Sequence, residues 1–299
     1  VAGARARAAY LGYRAGAEIA RALPPALAHP LARVAARTWM ATSTARRQQV
    51  ARNLERIAAA TSARGAADAS TDAVFAHYAR YWYELFRLPH EDPTRLDARV
   101  DCVGFEYLEA AAAGHRGMLL ALPHLGNWDF AGAWLASQGY AVTAVAEPVD
   151  PPELFDWFAA TRARIGIQVV PLGPDAASAV LRALADERVV CLVCDRDITG
   201  DGVDVTFFGE RTRLPGGPAL LALRTGAPLL PVGLSFLPEG RHGIRILPPL
   251  PTDRRGRLRD DVARVTQQLA DVFEELIGAA PDQWLMMQPN WPSDTGEQR

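Results

Sequence analysis

Apolar positions follow two rhythms along the chain. Up to about residue 90 they recur at helical spacing, and from about residue 99 they gather into short runs separated by helical stretches. The short runs predict strands at 117–122, 141–146, 168–171, 189–194, 203–208, 229–236 and 243–247. Between them the spacing predicts helices at 127–138, 152–165, 175–186, 215–224 and 258–277. Such alternation implies an α/β domain with a largely parallel sheet, whose loops at strand ends carry the chemistry.

Residues 1–60 read as helices interrupted at Pro24-Pro25 and at His29-Pro30. After a linker of small residues at 63–71, a helix is expected over 72–88. Its broad face of Val74, Phe75, Tyr78, Tyr81, Trp82, Leu85 and Phe86 is either core or part of a lipid-facing wall. The expected organisation is a basic helical segment, 1–60, continuous with an α/β domain over 61–299.

Charge changes the picture of that front segment. The formal net charge of -2 argues against a dedicated nucleic-acid binder, but it hides an asymmetry. Ten arginines, Arg5 to Arg56, face only Glu18 and Glu55, with Tyr10, Leu11, Tyr13, Ile19, Leu31, Val34 and Trp39 among them. Basic helices of this kind suit an anionic membrane surface, although a solvated face packed on a core reads the same way. No apolar run reaches the eighteen or so residues of a spanning helix, and no signal-peptide cleavage pattern is evident. Cys102, Cys191 and Cys194 read as buried strand cysteines of a reducing compartment, because the Cys191/Cys194 pair has no second pair to complete a zinc site.

Several chemistries lose their usual support. Gly233-Leu234-Ser235-Phe236-Leu237 lacks the closing glycine of a nucleophile elbow, and no P-loop or GxGxxG follows a strand. The remaining histidines are scattered, with no HExxH, so no metal is expected. What stands out is Leu119-Leu120-Ala121-Leu122-Pro123-His124-Leu125-Gly126-Asn127-Trp128-Asp129-Phe130. A buried strand ends at a proline, His124 follows, and Asp129 comes five residues later. Five residues on one helix point about 140° apart. The two can meet only if His124 lies on the loop and Asp129 in the first turn of a helix capped by Asn127. A carboxylate would then hold one imidazole nitrogen while the other takes a proton; a surface histidine beside a helix start is the plainer alternative.

Other charges sit at predicted strand ends. Glu147 closes one strand, and Asp195-Arg196-Asp197 follows another, a costly place for three charges unless they are paired or functional. Arg162 and Arg164 lie in the helix feeding Gly166. The stretch 207–218 reads as an apolar strand, a charged loop with Arg211 and Arg213, and a glycine-rich helix start at Gly216 and Gly217, able to hold a phosphate or an oxyanion. Asn127, Arg162, Arg164, Arg196, Arg211, Arg213, Gly216 and Gly217 are therefore the candidate substrate-binding residues.

In order, Pro123 through Asp129, Asp195-Arg196-Asp197, the 207–218 stretch, Arg224-Thr225-Gly226-Ala227-Pro228 and Pro281-Asp282-Gln283-Trp284 resemble blocks of the bacterial lipid A late-acyltransferase superfamily. The tail Trp284-Leu285-Met286-Met287-Gln288-Pro289-Asn290-Trp291 resembles the actinobacterial phosphatidylinositol mannoside acyltransferases within it. This resemblance implies an α/β core with a mixed central sheet, helices on both sides and an apolar groove for an acyl chain. It also implies transfer from acyl-CoA, as co-substrate with no bound cofactor, to a mannose hydroxyl at the cytoplasmic face of the plasma membrane. His124 is then the expected general base. Its acidic partner stays open among Asp129, Glu147, Asp195 and Asp197. A lipid A type acyltransferase using the same base is one rival; a catalytically silent lipid-binding protein of the membrane surface is another.

Overall fold

The structure is a computed structural model that describes residues 2–60 and 69–295. Its centre is a seven-stranded sheet. The strands are β1 (Val100–Val103), β2 (Met118–Leu122), β3 (Val142–Ala146), β4 (Ile167–Pro171), β5 (Val189–Val193), β8 (Leu229–Phe236) and β9 (His242–Ile246). Their spatial order is β1-β9-β8-β2-β5-β3-β4. Every neighbouring pair is parallel except β8 with β9, so β8, β2, β5, β3 and β4 share one direction. The mixed, mostly parallel sheet agrees with expectation, and six of the seven predicted strands lie in it.

The alternation of side chains along β2 explains why helices cover both faces. Leu119 and Ala121 enter a cluster with Val180 and Leu184 of α8 (Ala176–Ala185), Ala222 of α9 (Gly217–Thr225) and Phe273 of α10 (Leu258–Ala279). Met118, Leu120 and Leu122 enter another with Leu108 of α5 (Phe105–Ala112) and with Phe130 and Trp134 of α6 (Trp128–Ser137). Each such leucine, fully withdrawn from water, contributes roughly 1.5–3 kcal/mol. Because all five β2 residues are buried, the strand reads as an unbroken apolar run.

The seventh predicted strand behaves differently. β6 (Val203–Phe207) pairs antiparallel with β7 (Glu210–Leu214) in a separate hairpin, so the charged loop expected around Arg211 is a strand. Phe208 and Gly209 have φ of 50° and 75°, the backbone that tight hairpin turns need. Thr212 and Leu214 point inward while Arg211 is exposed. Charge on the outward positions masked the period-two pattern.

At the front, α1 (Ala2–Ala22) breaks before Pro25, which opens α2 (Pro25–Thr42). The expected interruption at His29-Pro30 does not occur: α2 runs through Pro30, whose ring nitrogen has no N–H to donate. α3 (Thr44–Ala60) follows, and the linker expected at 63–71 lies mostly outside the described residues. α4 (Thr71–Arg87) is capped by Ser70, whose hydroxyl accepts from the Ala73 N–H at 3.2 Å. Val74 and Phe75 of α4 join Ala36 of α2, Val50 of α3 and Met287 near the C-terminus in one buried cluster. The opposite side of the N-terminal helices exposes Leu11, Ile19, Leu31 and Val34. Among the described residues no helix is long and apolar enough to cross a membrane.

Candidate active site

Strand register brings the site together. β2 and β5 are parallel neighbours with Leu122 opposite Val193, and the Cys194 N–H extends the ladder to the Leu122 carbonyl at 2.9 Å. Two more residues along each strand place His124 beside Asp195. The contact is bidentate. Asp195 Oδ1 lies 2.5 Å from His124 Nδ1, and Oδ2 accepts the His124 backbone N–H at 2.9 Å. Asp195 is fully buried, whereas the His124 side chain keeps 27% of its surface open. Among the described residues nothing hydrogen-bonds Nε2, so that nitrogen is free to meet a substrate.

A C-terminal strap holds this pair. The Trp284 indole N–H donates to Asp195 Oδ2 at 2.7 Å, and the Asn290 amide donates to the Asp195 carbonyl at 2.9 Å. The strap also bonds the histidine loop: the Leu285 N–H donates to the His124 carbonyl at 2.7 Å, and the Gly126 N–H to the Gln283 carbonyl at 3.1 Å. Gly126 is required here, with φ +62° and a Cβ that would come within 2.8 Å of the Leu234 carbonyl carbon. Burial pushes the Asp195 carboxyl up, but the His124 ring, the Trp284 indole and the His124 amide together hold it below the usual carboxylate range. A buried, ionised acceptor fixes the proton on Nδ1 and leaves Nε2 basic.

Asp129 does not stand behind the ring. Its carboxylate, 2% exposed, is bound by the Tyr81 hydroxyl at 2.6 Å and by Arg162 through two bonds of 2.6 and 3.0 Å. Burial pushes the Tyr81 hydroxyl well above its ordinary value, with Asp129 adding to the effect, so it remains a donor. Burial opposes the charge on Arg162, but Asp129 and Tyr81 raise its affinity for the proton. The triad ties α6 to α4 and to α7 (Pro152–Ala163), fixing the helix that begins just after His124. Trp128, on the same turn, meets the His124 ring edge-on with centroids 5.4 Å apart. Asn127 is the helix cap that its position predicts, accepting the Phe130 N–H at 3.0 Å. Its amide donates to buried Glu84 at 2.8 Å, so it is committed to the protein rather than aimed at a ligand.

The other candidates divide by location. Glu147, at the tip of β3, pairs with Arg196 at 2.6 Å on the same edge of the sheet as His124. Arg196 Nε is buried without a hydrogen-bond partner. Asp197 does not approach the ring; its carboxylate accepts the N–H groups of Gly200 and Gly202, both at 2.9 Å, and closes the following turn. Arg164 donates to the Pro89 carbonyl at 3.3 Å, and Arg213 to Asp204 and the Gly200 carbonyl. Arg211 is exposed on β7. Gly216 allows close packing, since a Cβ would meet Val203 at 2.7 Å, while Gly217 has open space around it. α9 leads directly into β8, the neighbour of β2 in the sheet.

Between α6 and the sheet runs an apolar cavity lined by Leu120, Leu122, Trp128, Ala144, Cys191 and Val193, with Asp129 and Arg162 at its wall. Burial pushes the Cys191 thiol up to about 12, so it lines this space as an uncharged apolar group. Among the described residues no group of three His, Cys, Asp or Glu side chains could hold a metal ion.

A family model for the bacterial lipid A biosynthesis acyltransferases matches residues 5–293. The chain belongs to this family. The acyltransferase is 41% identical to the phosphatidylinositol mannoside acyltransferase of Mycolicibacterium smegmatis over 292 residues, covering 97% of this chain and 93% of the relative. It is 43% identical over 258 residues to the protein of the same name from Mycobacterium tuberculosis, covering 84% and 79%. The lipid A biosynthesis acyltransferase of Haemophilus influenzae is 25% identical over 218 residues, covering 72% and 66%. The membership drawn from the motifs is thus borne out. Trp284 and Asn290 are the contacts to Asp195 that sequence reasoning missed; they stood in the tail motif with no chemistry attached to them.

Proposed function

We propose that this acyltransferase moves a fatty acyl group from acyl-CoA to the 6-hydroxyl of a mannose in phosphatidylinositol mannosides. The observation that carries the chemistry is the His124–Asp195 contact, with Nδ1 engaged by a buried carboxylate and Nε2 left open. Nε2 removes the hydroxyl proton as the oxygen attacks the thioester carbonyl carbon. Asp195 stabilises the imidazolium that forms. The tetrahedral intermediate then collapses, its C–S bond breaks, and the imidazolium returns the proton to the departing thiolate. The products are an ester and free CoA, and no covalent enzyme intermediate is needed. Arg196, the residue after Asp195 and paired with Glu147, is the cation assigned to the oxyanion, a contribution of roughly 3 kcal/mol. The apolar cavity behind Trp128 accommodates the acyl chain.

The mannolipid acceptor is favoured by near full-length identity to relatives named for it, set against the lower identity of the lipid A enzyme. Purified protein given palmitoyl-CoA and either acceptor decides the matter. Acylation of the mannolipid that disappears in His124→Ala is the expected result; acylation of only the lipid A precursor would overturn the acceptor assignment. Binding to vesicles without any turnover would leave the non-catalytic reading.

In this reading the reaction takes place at the cytoplasmic face of the plasma membrane, with the N-terminal helices as the contact. Leu11, Ile19 and Val34 are 57–60% exposed on helices with exposed arginines at Arg7, Arg14, Arg21 and Arg37. Serine at these three apolar positions should reduce flotation with anionic vesicles, and binding should fall with salt. Deleting these helices is a poorer test, because Ala36 belongs to the buried cluster that holds α4.

A further inference from the structure

A groove between the N-terminal helices, α4 and the C-terminal strap has no part in the chemistry above. Tyr13, Trp39, Arg46, Tyr78, Trp82 and Gln288 line it. Its rings are packed, with centroids 5.0 Å apart for Tyr13 and Trp82 and 5.2 Å for Trp39 and Tyr78. Arg46 is exposed, its guanidinium carbon 5.6 Å from the Trp39 centroid, and among the described residues no carboxylate pairs with it.

Two features orient the groove. On one side it adjoins the catalytic loop. Tyr78 and Trp82 flank Tyr81, which lies 4.3 Å from Trp128, the ring that meets His124. Gln288 is three residues beyond Leu285, whose N–H holds the His124 carbonyl. On the other side, α1 and α2 carry the exposed Leu11, Ile19, Leu31 and Val34. The groove therefore lies between the apolar outer surface and the packed rings that back the His124 loop.

Its chemistry suits one class of ligand. An unpaired guanidinium donates two N–H bonds to a pair of phosphate oxygens, and the packed rings beside it offer apolar edges to the C–H groups of a sugar or cyclitol. The polyphosphate of a coenzyme A donor carries several negative charges and calls for several cations, whereas among the described residues that line this groove Arg46 is the one cation. One cation matches one phosphodiester. We propose that the groove seats the phosphodiester-linked polyol of the acceptor lipid, with Arg46 on the phosphodiester and the edges of Trp39 and Tyr78 bordering the adjoining ring. This rests on the acceptor being a membrane glycophospholipid, as proposed above.

The test uses the full chain and two readouts. In calorimetric titration with glycerophosphoinositol, a soluble deacylated head group, the wild type should bind, Arg46→Gln should bind at least about tenfold more weakly, and Arg46→Lys should recover part of the loss. In acyl transfer, Arg46→Gln should raise KM for the mannolipid about tenfold relative to KM for acyl-CoA. The proposal is overturned if the wild type does not bind the head group, or if Arg46→Gln binds it equally. It is overturned equally if KM for acyl-CoA rises by the same factor, which would give the groove to the donor. A parallel loss of vesicle flotation in Arg46→Gln would reduce Arg46 to surface attachment and also overturn it. Head-group binding through Arg46 in a protein that acylates no mannolipid would uphold the seat and refute the acceptor assignment instead.

Discussion

Replacing Asp195 by asparagine keeps the shape of the site and changes two things. Oδ2 accepts hydrogen bonds from both the His124 N–H and the Trp284 indole. Asparagine must therefore place its carbonyl oxygen there and turn its amide toward Nδ1. Nδ1 becomes the acceptor, the ring proton moves to Nε2, and the nitrogen facing substrate can no longer take a proton. The charge is lost as well. With charge centres about 4 Å apart and an effective permittivity of about 20, the carboxylate stabilises the imidazolium by about 4 kcal/mol. At 1.36 kcal/mol per tenfold, kcat should fall by about 10³. The assay is single-turnover acyl transfer from palmitoyl-CoA, run beside Asp129→Asn and with thermal unfolding of each variant as a folding control. Asp195→Asn within tenfold of wild type would refute the assignment. A folded, inactive Asp129→Asn beside such a variant would move the partner role to the other carboxylate.

Trp284→Phe keeps the ring but removes one donor from Asp195; it should lower kcat about tenfold and shift the acid limb of the pH profile upward, because the carboxylate becomes easier to protonate. Arg162→Met leaves Asp129 buried with only Tyr81 as donor, and should cost about 3 kcal/mol in denaturant unfolding, part of it recovered by adding Asp129→Asn. Burial, with Arg80 and Arg99 nearby, pushes the His242 imidazole down to about 2. The unfolded chain takes up that proton below about 6.5 and the folded chain does not, so this group's contribution to stability is complete above pH 6.5 and falls as pH drops toward 2. Unfolding at pH 4.5 should show a loss of about 2.3 kcal/mol from this residue relative to pH 6.5, where the unfolded imidazole is already half protonated; the loss should be absent in His242→Phe.

Much of this architecture could be read directly from the chain. Most strands of the main sheet were legible because burial on both faces leaves continuous apolar runs, and the longer helices because their apolar stripes repeat; α5, only eight residues long, was not. β1 and β7 were not: β1 has only four residues, partly exposed, and β7 carries a glutamate and two arginines within five positions. Asn127 as a helix cap was legible too, since capping depends on only four consecutive residues.

His124 as the candidate base, and the ordered blocks that mark the family, were determined by the sequence alone. The partner of His124 was decided by tertiary structure. Five residues separate His124 from Asp129, and seventy-one separate it from Asp195, yet the nearer carboxylate faces Arg162 and Tyr81 while the distant one meets the ring. The spacing permitted the first pairing, but it could not reveal that β2 and β5 are neighbours in a register that sets their two ends side by side. Nor could it show that Trp284 and Asn290 return from the C-terminus to hold the same carboxylate. A helix cap is a local property, whereas a carboxylate behind an imidazole depends on strand order, and strand order is settled by burying both faces of the whole sheet at once.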